Sequence, residues 1–153
     1  MDYTALATEI NTDPLTLGYA ALVSSGSDQG IAILLNANNY TLQGPVPMTD
    51  VFIWLGENAL TVTIQGIAAT SGPLQNNAAT FLLAVQGGSA VLDVTNSAIV
   101  AMVAAFVTAG TFTQSVQDAL FAMGQVPASR AEVLFGSGVS VSNSDVSFAL
   151  RGQ

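Results

Sequence analysis

The chain has 153 residues and a mass of 15.6 kDa, material for one domain with its own core. Half its residues are apolar, the mean hydropathy is +0.54, and only 8% are charged, against about 25% in an ordinary soluble domain. Ten acids face two arginines (net charge −8), and there is no histidine, cysteine or lysine, which excludes thiolate and imidazole zinc sites, iron–sulfur clusters, disulfides, Ser-His-Asp and Ser-Lys catalysis, Schiff bases and a Walker-type phosphate loop.

In chain order, Asp2 is placed to cap a first helix, Tyr3–Ile10. Asp13-Pro14 reads as N-cap plus first helical residue of a short second turn through Leu22. After a loop at Ser24–Ser27, Asp28 caps a third helix, Gln29–Asn36, burying Ile31, Leu34 and Leu35. A linker rich in Asn, Gly and Pro follows, around residues 37–48. Thr49 then caps one long helix, Asp50–Ala69, with Ile53, Trp54, Leu60, Ile64 and Ile67 at helical spacing. Within it, Leu60-Thr61-Val62-Thr63-Ile64-Gln65 alternates with period two, so a short β segment near residues 60–65 competes.

Ser71-Gly72-Pro73 opens a helix over Leu74–Val85, ended by Gly87-Gly88, and Ser89–Val94 fits either state. Asn96 or Ser97 caps Ala98–Ala109, stopped by Gly110, and Thr113 caps Gln114–Met123, ended by Gly124. Ser129-Arg130-Ala131-Glu132 is a capping box, and Ser142–Asp145 repeats the signal with Asp in the Glu place before Val146–Arg151. The expectation is an all-α fold: a single helical domain over 1–153, a compact bundle of about seven or eight short helices.

The acids are Asp2, Glu9, Asp13, Asp28, Asp50, Glu57, Asp93, Asp118, Glu132 and Asp145, and no two lie closer than four residues. No local pair suggests an acid/base dyad, so no catalytic, cofactor-binding or metal-ligating residue is assigned and no enzyme is expected. A hydrolase or lyase whose carboxylates converge only in space is the competing reading. Gly136-Ser137-Gly138 reads as a helix cap and turn rather than a phosphate loop, and Ser27-Asp28-Gln29-Gly30 lacks the alternating ligands and distal glutamate of a calcium loop. Trp54 sits among Phe52, Ile53 and Leu55 and reads as core. Tyr3, Tyr19 and Tyr40 are dispersed without basic neighbours.

Arg130 and Arg151 alone cannot neutralise a run of phosphates, so no sequence-specific nucleic-acid binding is expected; an acidic surface suits instead one that DNA passes without adhering. Met1-Asp2-Tyr3 lacks the basic start of a signal peptide. The most apolar run, Ala98–Phe112, has 15 residues and falls short of the roughly 20 that span a bilayer; Val51–Ala69 is interrupted by Glu57, Asn58 and Gln65. No membrane partner is therefore expected, and a small membrane-active, holin-like protein is the minor alternative. Ala98–Ala109 is apolar around most of its circumference, so it is either central to the fold or covered by another subunit. So few charges favour an assembly component whose surface is buried between subunits, a homo-oligomer.

Two stretches carry a resemblance. Asp13-Pro14-Leu15-Thr16-Leu17-Gly18-Tyr19, with Leu34-Leu35-Asn36 after it, and Ser129–Gly136, with Asp145-Val146-Ser147-Phe148-Ala149-Leu150-Arg151 after it, resemble small helical proteins from the structural (head/neck) gene module of tailed bacteriophages. The match covers about a third of the chain and leaves the middle out. The resemblance implies a non-enzymatic virion protein, assembled in the bacterial host cytoplasm beside other virion structural proteins. Together with the charge argument, the expected station is a ring-forming head–tail connector or neck adaptor, with a capsid decoration or cement protein as the alternative.

Overall fold

The computed structural model describes residues 1–87 and 90–152. Among the described residues the chain is mainly helical, with ten helices and four short strands. In order these are α1 (Tyr3–Thr12), α2 (Tyr19–Ser24), α3 (Asp28–Asn36), β1 (Tyr40–Gln43), β2 (Val46–Pro47), α4 (Met48–Glu57), α5 (Leu60–Ala69), α6 (Gln75–Gln86), β3 (Val91–Leu92), α7 (Ser97–Thr108), α8 (Gln114–Met123), β4 (Gln125–Ala128), α9 (Arg130–Phe135) and α10 (Asn143–Arg151). β1 pairs with β4, and β2 runs antiparallel to β3 with Val46 opposite Leu92. The sequence alone suggests one domain over 1–153; contacts group the residues into two compact units, 1–42 with 127–153 and 43–126.

Unit 1 gathers α1, α2, α3, α9 and α10 around Leu6, Ile10, Tyr19, Ile31, Leu35, Ala131, Val141 and Val146. Its helices start where local chemistry dictates. Asp2 accepts from the Ala5 amide, and Ser27, Ser129 and Ser142 each accept from the amide three residues on. Both expected capping boxes form: Glu132 accepts from the Ser129 amide at 2.8 Å and Asp145 from the Ser142 amide at 2.9 Å. Asp28 is the first residue of α3 rather than its cap, because Ser27 already fills that role. Ile31, Ala32 and Leu35 are the buried positions there, and Leu34 is only half-buried.

Asp13 departs from expectation. It closes α1 in the left-handed region (φ 42°, ψ 57°) rather than opening a helix at Pro14. Its carboxylate accepts from the amides of Leu17 (2.6 Å), Gly18 (2.8 Å) and Tyr19 (3.1 Å). The intervening turn also holds Thr16 at φ 54° and Gly18 at φ 93°, conformations that cost a β-branched residue more than a glycine. Three charge-assisted hydrogen bonds outweigh that strain and start α2 at Tyr19, which is fully buried.

Unit 2 holds α4 to α8 and the β2–β3 pair. Its core runs through Val46, Val51, Trp54, Leu60, Ile64, Phe81, Val103, Phe106 and Leu120. Trp54 meets Phe112 edge-on at 5.6 Å between centroids, Phe112 lies 4.9 Å from Phe106, and Phe106 meets Phe81 edge-on at 6.2 Å. The Trp54 indole N–H donates to the Val116 carbonyl and ties α4 to α8.

The long helix expected over Asp50–Ala69 is two helices, α4 and α5, bent by 92°. Ala59 sits at φ 52° between them, and the Asn58 amide and side chain both donate to the Trp54 carbonyl, closing the last turn of α4. The N-cap is Pro47, not Thr49. The bend turns Leu60 and Ile64, one helical turn apart, into the core with Ile67 against it. The β pattern over 60–65 is therefore overridden. A strand would set Leu60, Val62 and Ile64 on one face, whereas the helix throws Val62 outward to 77% exposure. Ile53, expected inside, is 59% exposed.

The expected linker around 37–48 contains β1, β2 and the first residue of α4. Val91–Leu92 of the ambiguous segment are a strand, because Pro47 and Val91 bring them into register with β2. The proposed stop at Gly88 and the start of that segment at Ser89 lie outside the described residues. α7 and α8 start at their expected caps, Asn96 and Thr113. Gly124 ends α8 for a packing reason: its φ is −86°, but an added Cβ would lie 2.5 Å from the Gly44 carbonyl oxygen. Gly124→Ala is expected to lower stability by about 1–3 kcal/mol through overpacking, read as a lower denaturant midpoint at unchanged slope.

Candidate functional site

With histidine, cysteine and lysine absent, the ten acids and three tyrosines are the groups left for acid/base work, and the partners of the acids decide what the protein does with them. In unit 1 most are tied to chain geometry: Asp2, Asp13, Glu132 and Asp145 accept from backbone amides at helix starts. Glu132 reaches further and accepts from the Gly138 amide at 2.9 Å, which closes the Gly136-Ser137-Gly138 turn from within. That glycine pair, at φ 105° and 78°, is thus a helix stop and turn. Asp28 pairs with Arg151 near the surface. Asp145 also accepts from the Tyr3 hydroxyl at 3.0 Å, joining α10 to α1.

Glu9 is different because it is buried, its side chain 4% exposed. Arg130 grips it with two parallel bonds, Nε to Oε1 at 2.8 Å and Nη2 to Oε2 at 2.7 Å. The Tyr40 ring lies 6.0 Å from the guanidinium carbon. Burial, reinforced by the Glu9 charge, pushes the Tyr19 hydroxyl well above its ordinary range. Asn36 completes the unit by a reciprocal pair with Val141: its Nδ2 donates to the carbonyl at 2.7 Å, and its Oδ1 accepts from the amide at 2.9 Å. The residues that carry the phage resemblance therefore serve the interior of unit 1: Asp13 shapes the turn, Asn36 clamps Val141, and Ser129, Arg130, Glu132 and Asp145 cap and tie helices.

In unit 2, Asp93 accepts from the Thr95 amide and hydroxyl, and Asp118 from the Gln114 side chain. Asp50 and Glu57 stand apart. They line one cleft of about 600 Å³ with Ile53, Trp54, Asn58, Ala119 and Met123, between α4 and α8. Among the described residues no three acids stand close enough to hold one metal ion. No two carboxylates share a hydrogen bond or an ionic partner there either.

The surface of unit 2 is the other unusual feature. Only Asp93 is charged between Glu57 and Asp118, so α5, α6 and α7 carry no ionisable side chain. α5 presents Thr61, Val62, Thr63 and Gln65 outward, and α6 presents Asn76, Thr80 and Leu83, the last at 72% exposure. α7 buries Met102, Val103 and Phe106 and leaves Ala98, Val100 and Ala101 exposed. It is a core helix on one face and an uncovered neutral helix on the other. Among the described residues no single helix is long and apolar enough to cross a membrane; only α4 and α5 taken together across their bend reach that length and composition.

No protein family, curated protein or solved structure was found to match this chain.

Sequence reasoning placed the caps at Asp2, Asn96, Thr113, Ser129 and Ser142 correctly, misplaced those at Asp13, Asp28 and Thr49, and gave Glu9 no role, since its partner is 121 residues away. Removing one half of a buried ion pair leaves a charge without compensation. Glu9→Ala is expected to cost about 3–5 kcal/mol, whereas Glu9→Met with Arg130→Met is expected to be near neutral, as measured by urea unfolding.

Burial pushes the Asp13 carboxyl up, but three amides together hold it below the usual range. Amides and hydroxyls of their capping serines hold Glu132 and Asp145 low as well. In unit 2 Asp93 is held low by Thr95. Depressed native pKa values contribute stability that is full above the unfolded carboxylate range, about 4, and is lost as pH falls through the native values. Unit 1 holds three such groups and all three tyrosines, unit 2 one and the only tryptophan. On acid titration the tyrosine signal is expected to change at higher pH than the Trp54 signal.

Proposed function

We propose that the chain is a non-enzymatic structural protein of a tailed-bacteriophage particle, assembled in the bacterial host cytoplasm. Within the particle it serves as a ring-forming adaptor of the head–tail connection. The observation that carries this reading is the uncharged outer surface of α5, α6 and α7, with Val62 and Leu83 uncovered on it. Monomeric proteins remain dispersed through mixed surface charge, and charged residues are depleted where subunits meet. The motif residues of unit 1 support the phage part of the reading. The charge favours the neck: a net −8 with both arginines engaged by carboxylates repels DNA at short range, as the wall of a DNA passage must.

Light scattering on the purified protein and copy number in intact particles test the proposal together. Self-association with a few to a dozen copies per particle supports the neck. Hundreds of copies move the protein to the capsid surface as a decoration or cement protein. A dispersed monomer at high concentration that is absent from particles overturns the reading, and dependence on detergent turns it toward the membrane-active alternative. Val62→Glu with Leu83→Glu is expected to weaken self-association by about tenfold or more, since each buried charge must lose its water. The fold should survive, because exposed sites usually change stability by only about 0.5 kcal/mol; far-ultraviolet circular dichroism checks this.

A further inference from the structure

We infer that the cleft between α4 and α8 receives an amphipathic helical segment of a different protein, with basic side chains two turns apart flanking an apolar anchor. The inference rests on the reading above in one respect, that this chain works by binding other proteins.

The lining of the cleft follows helical spacing. Asp50, Ile53 with Trp54, and Glu57 occupy positions i, i+3/i+4 and i+7 on α4, so the acids stand about 10.5 Å apart along the axis with apolar groups between them. Ala119 and Met123, one turn apart on α8, form the other wall. Ile53 keeps most of its surface uncovered by this chain. A helix laid along α4 presents its own i and i+7 residues at the same separation and its i+3/i+4 residues between them.

Charge identifies the occupant. Among the described residues Glu57 has no hydrogen-bond or ionic partner, and Asp50 has only the Thr49 hydroxyl at 3.4 Å, outside good geometry. The other eight acids all hold a partner at closer range. No lysine, arginine or histidine occurs anywhere in 43–126, so unit 2 itself contains no cation that could answer them. A second copy of the chain is poorly equipped to supply one, because Arg130 and Arg151 are already paired with Glu9 and Asp28. Nucleic acid and anionic lipid add further negative charge. A basic, apolar-anchored protein segment satisfies both the walls and the rim.

The test uses the full chain and a fluorescein-labelled, capped alanine-rich peptide of about sixteen residues, long enough for partial helicity. It has two lysines seven residues apart and leucines three and four residues after the first. A control peptide carries glutamates in place of the lysines. Trp54, the only tryptophan, lines the cleft and reports occupancy by its emission, and anisotropy gives the affinity. The expected result is saturable binding of the lysine peptide that shifts Trp54 emission, and none of the glutamate peptide. Asp50→Asn with Glu57→Gln should weaken binding about tenfold or more, as should Ile53→Asp. Unchanged circular dichroism and thermal midpoint show that these variants fold.

The inference is overturned if the lysine peptide does not saturate, if both peptides bind alike, or if the neutralised variant binds as the parent does. Binding of phosphatidylglycerol vesicles in place of the peptide, or a dimer abolished by Ile53→Asp, reassigns the cleft and overturns it as well. Particle copy number is read separately. A particle-bound chain that ignores the peptide sinks this inference alone, and a peptide-binding chain absent from particles sinks the particle reading alone.

Discussion

Two cations in 153 residues leave most acids without a side-chain counterion, and this scarcity organises the structure. An ionised carboxylate that is not paired must be hydrated or must accept from backbone amides, and helix N-termini offer those amides in surplus. Asp2, Asp13, Glu132 and Asp145 take that solution, which places the negative charges of unit 1 at the beginnings of short helices. The arginines are then free for long-range ties, Arg130 to Glu9 within the core and Arg151 to Asp28 near the surface. The two ties differ in consequence. The exposed one contributes about 0–1 kcal/mol, whereas loss of either half of the buried one strands a charge.

What could be read from the sequence was whatever depends on a window of three or four residues. The capping boxes at Ser129 and Ser142, the Thr113 and Asn96 caps and the stop at Gly110 form as expected because donor and acceptor lie in the same turn. Asp13 was misread for an instructive reason. Asp-Pro is a good helix start locally, but the carboxylate finds three amides four to six residues on and holds a left-handed turn instead. The helix over 60–65 was legible from its spacing, but the bend at Ala59 was hidden because it depends on what the core of unit 2 accepts; Leu60 and Ile64 both enter it from a redirected helix. Glu9 with Arg130, Asn36 with Val141 and Tyr3 with Asp145 lie 105 to 142 residues apart, and no local pattern announces them. The cleft was invisible for the same reason: α4 contributes the acid spacing, but its second wall comes from α8.

The two units divide the chemistry of the chain. Unit 1 holds both arginines, all three tyrosines and the motif residues, and these make contacts inside it. The roles these residues play therefore describe how that unit is built and assign it no activity. Unit 2 has the single tryptophan, four acids and no cation, and it carries the three consecutive helices without an ionisable group. The uncharged helices and the open α4–α8 cleft both belong to unit 2.

Those outward features are of two chemically distinct kinds, and the distinction has a consequence for assembly. A neutral surface of Thr, Gln, Asn, Ala and Val, such as α5 and α6 present, meets a second copy of itself without electrostatic penalty, because there is no charge to repel or desolvate. The α4–α8 cleft cannot do this: its two carboxylates would meet another acidic unit 2 and repel it. On the proposed reading such a chain would sort its partners by charge, like meeting like through the neutral helices and a basic segment being selected at the acidic cleft, so that the two kinds of contact would use different surfaces of unit 2.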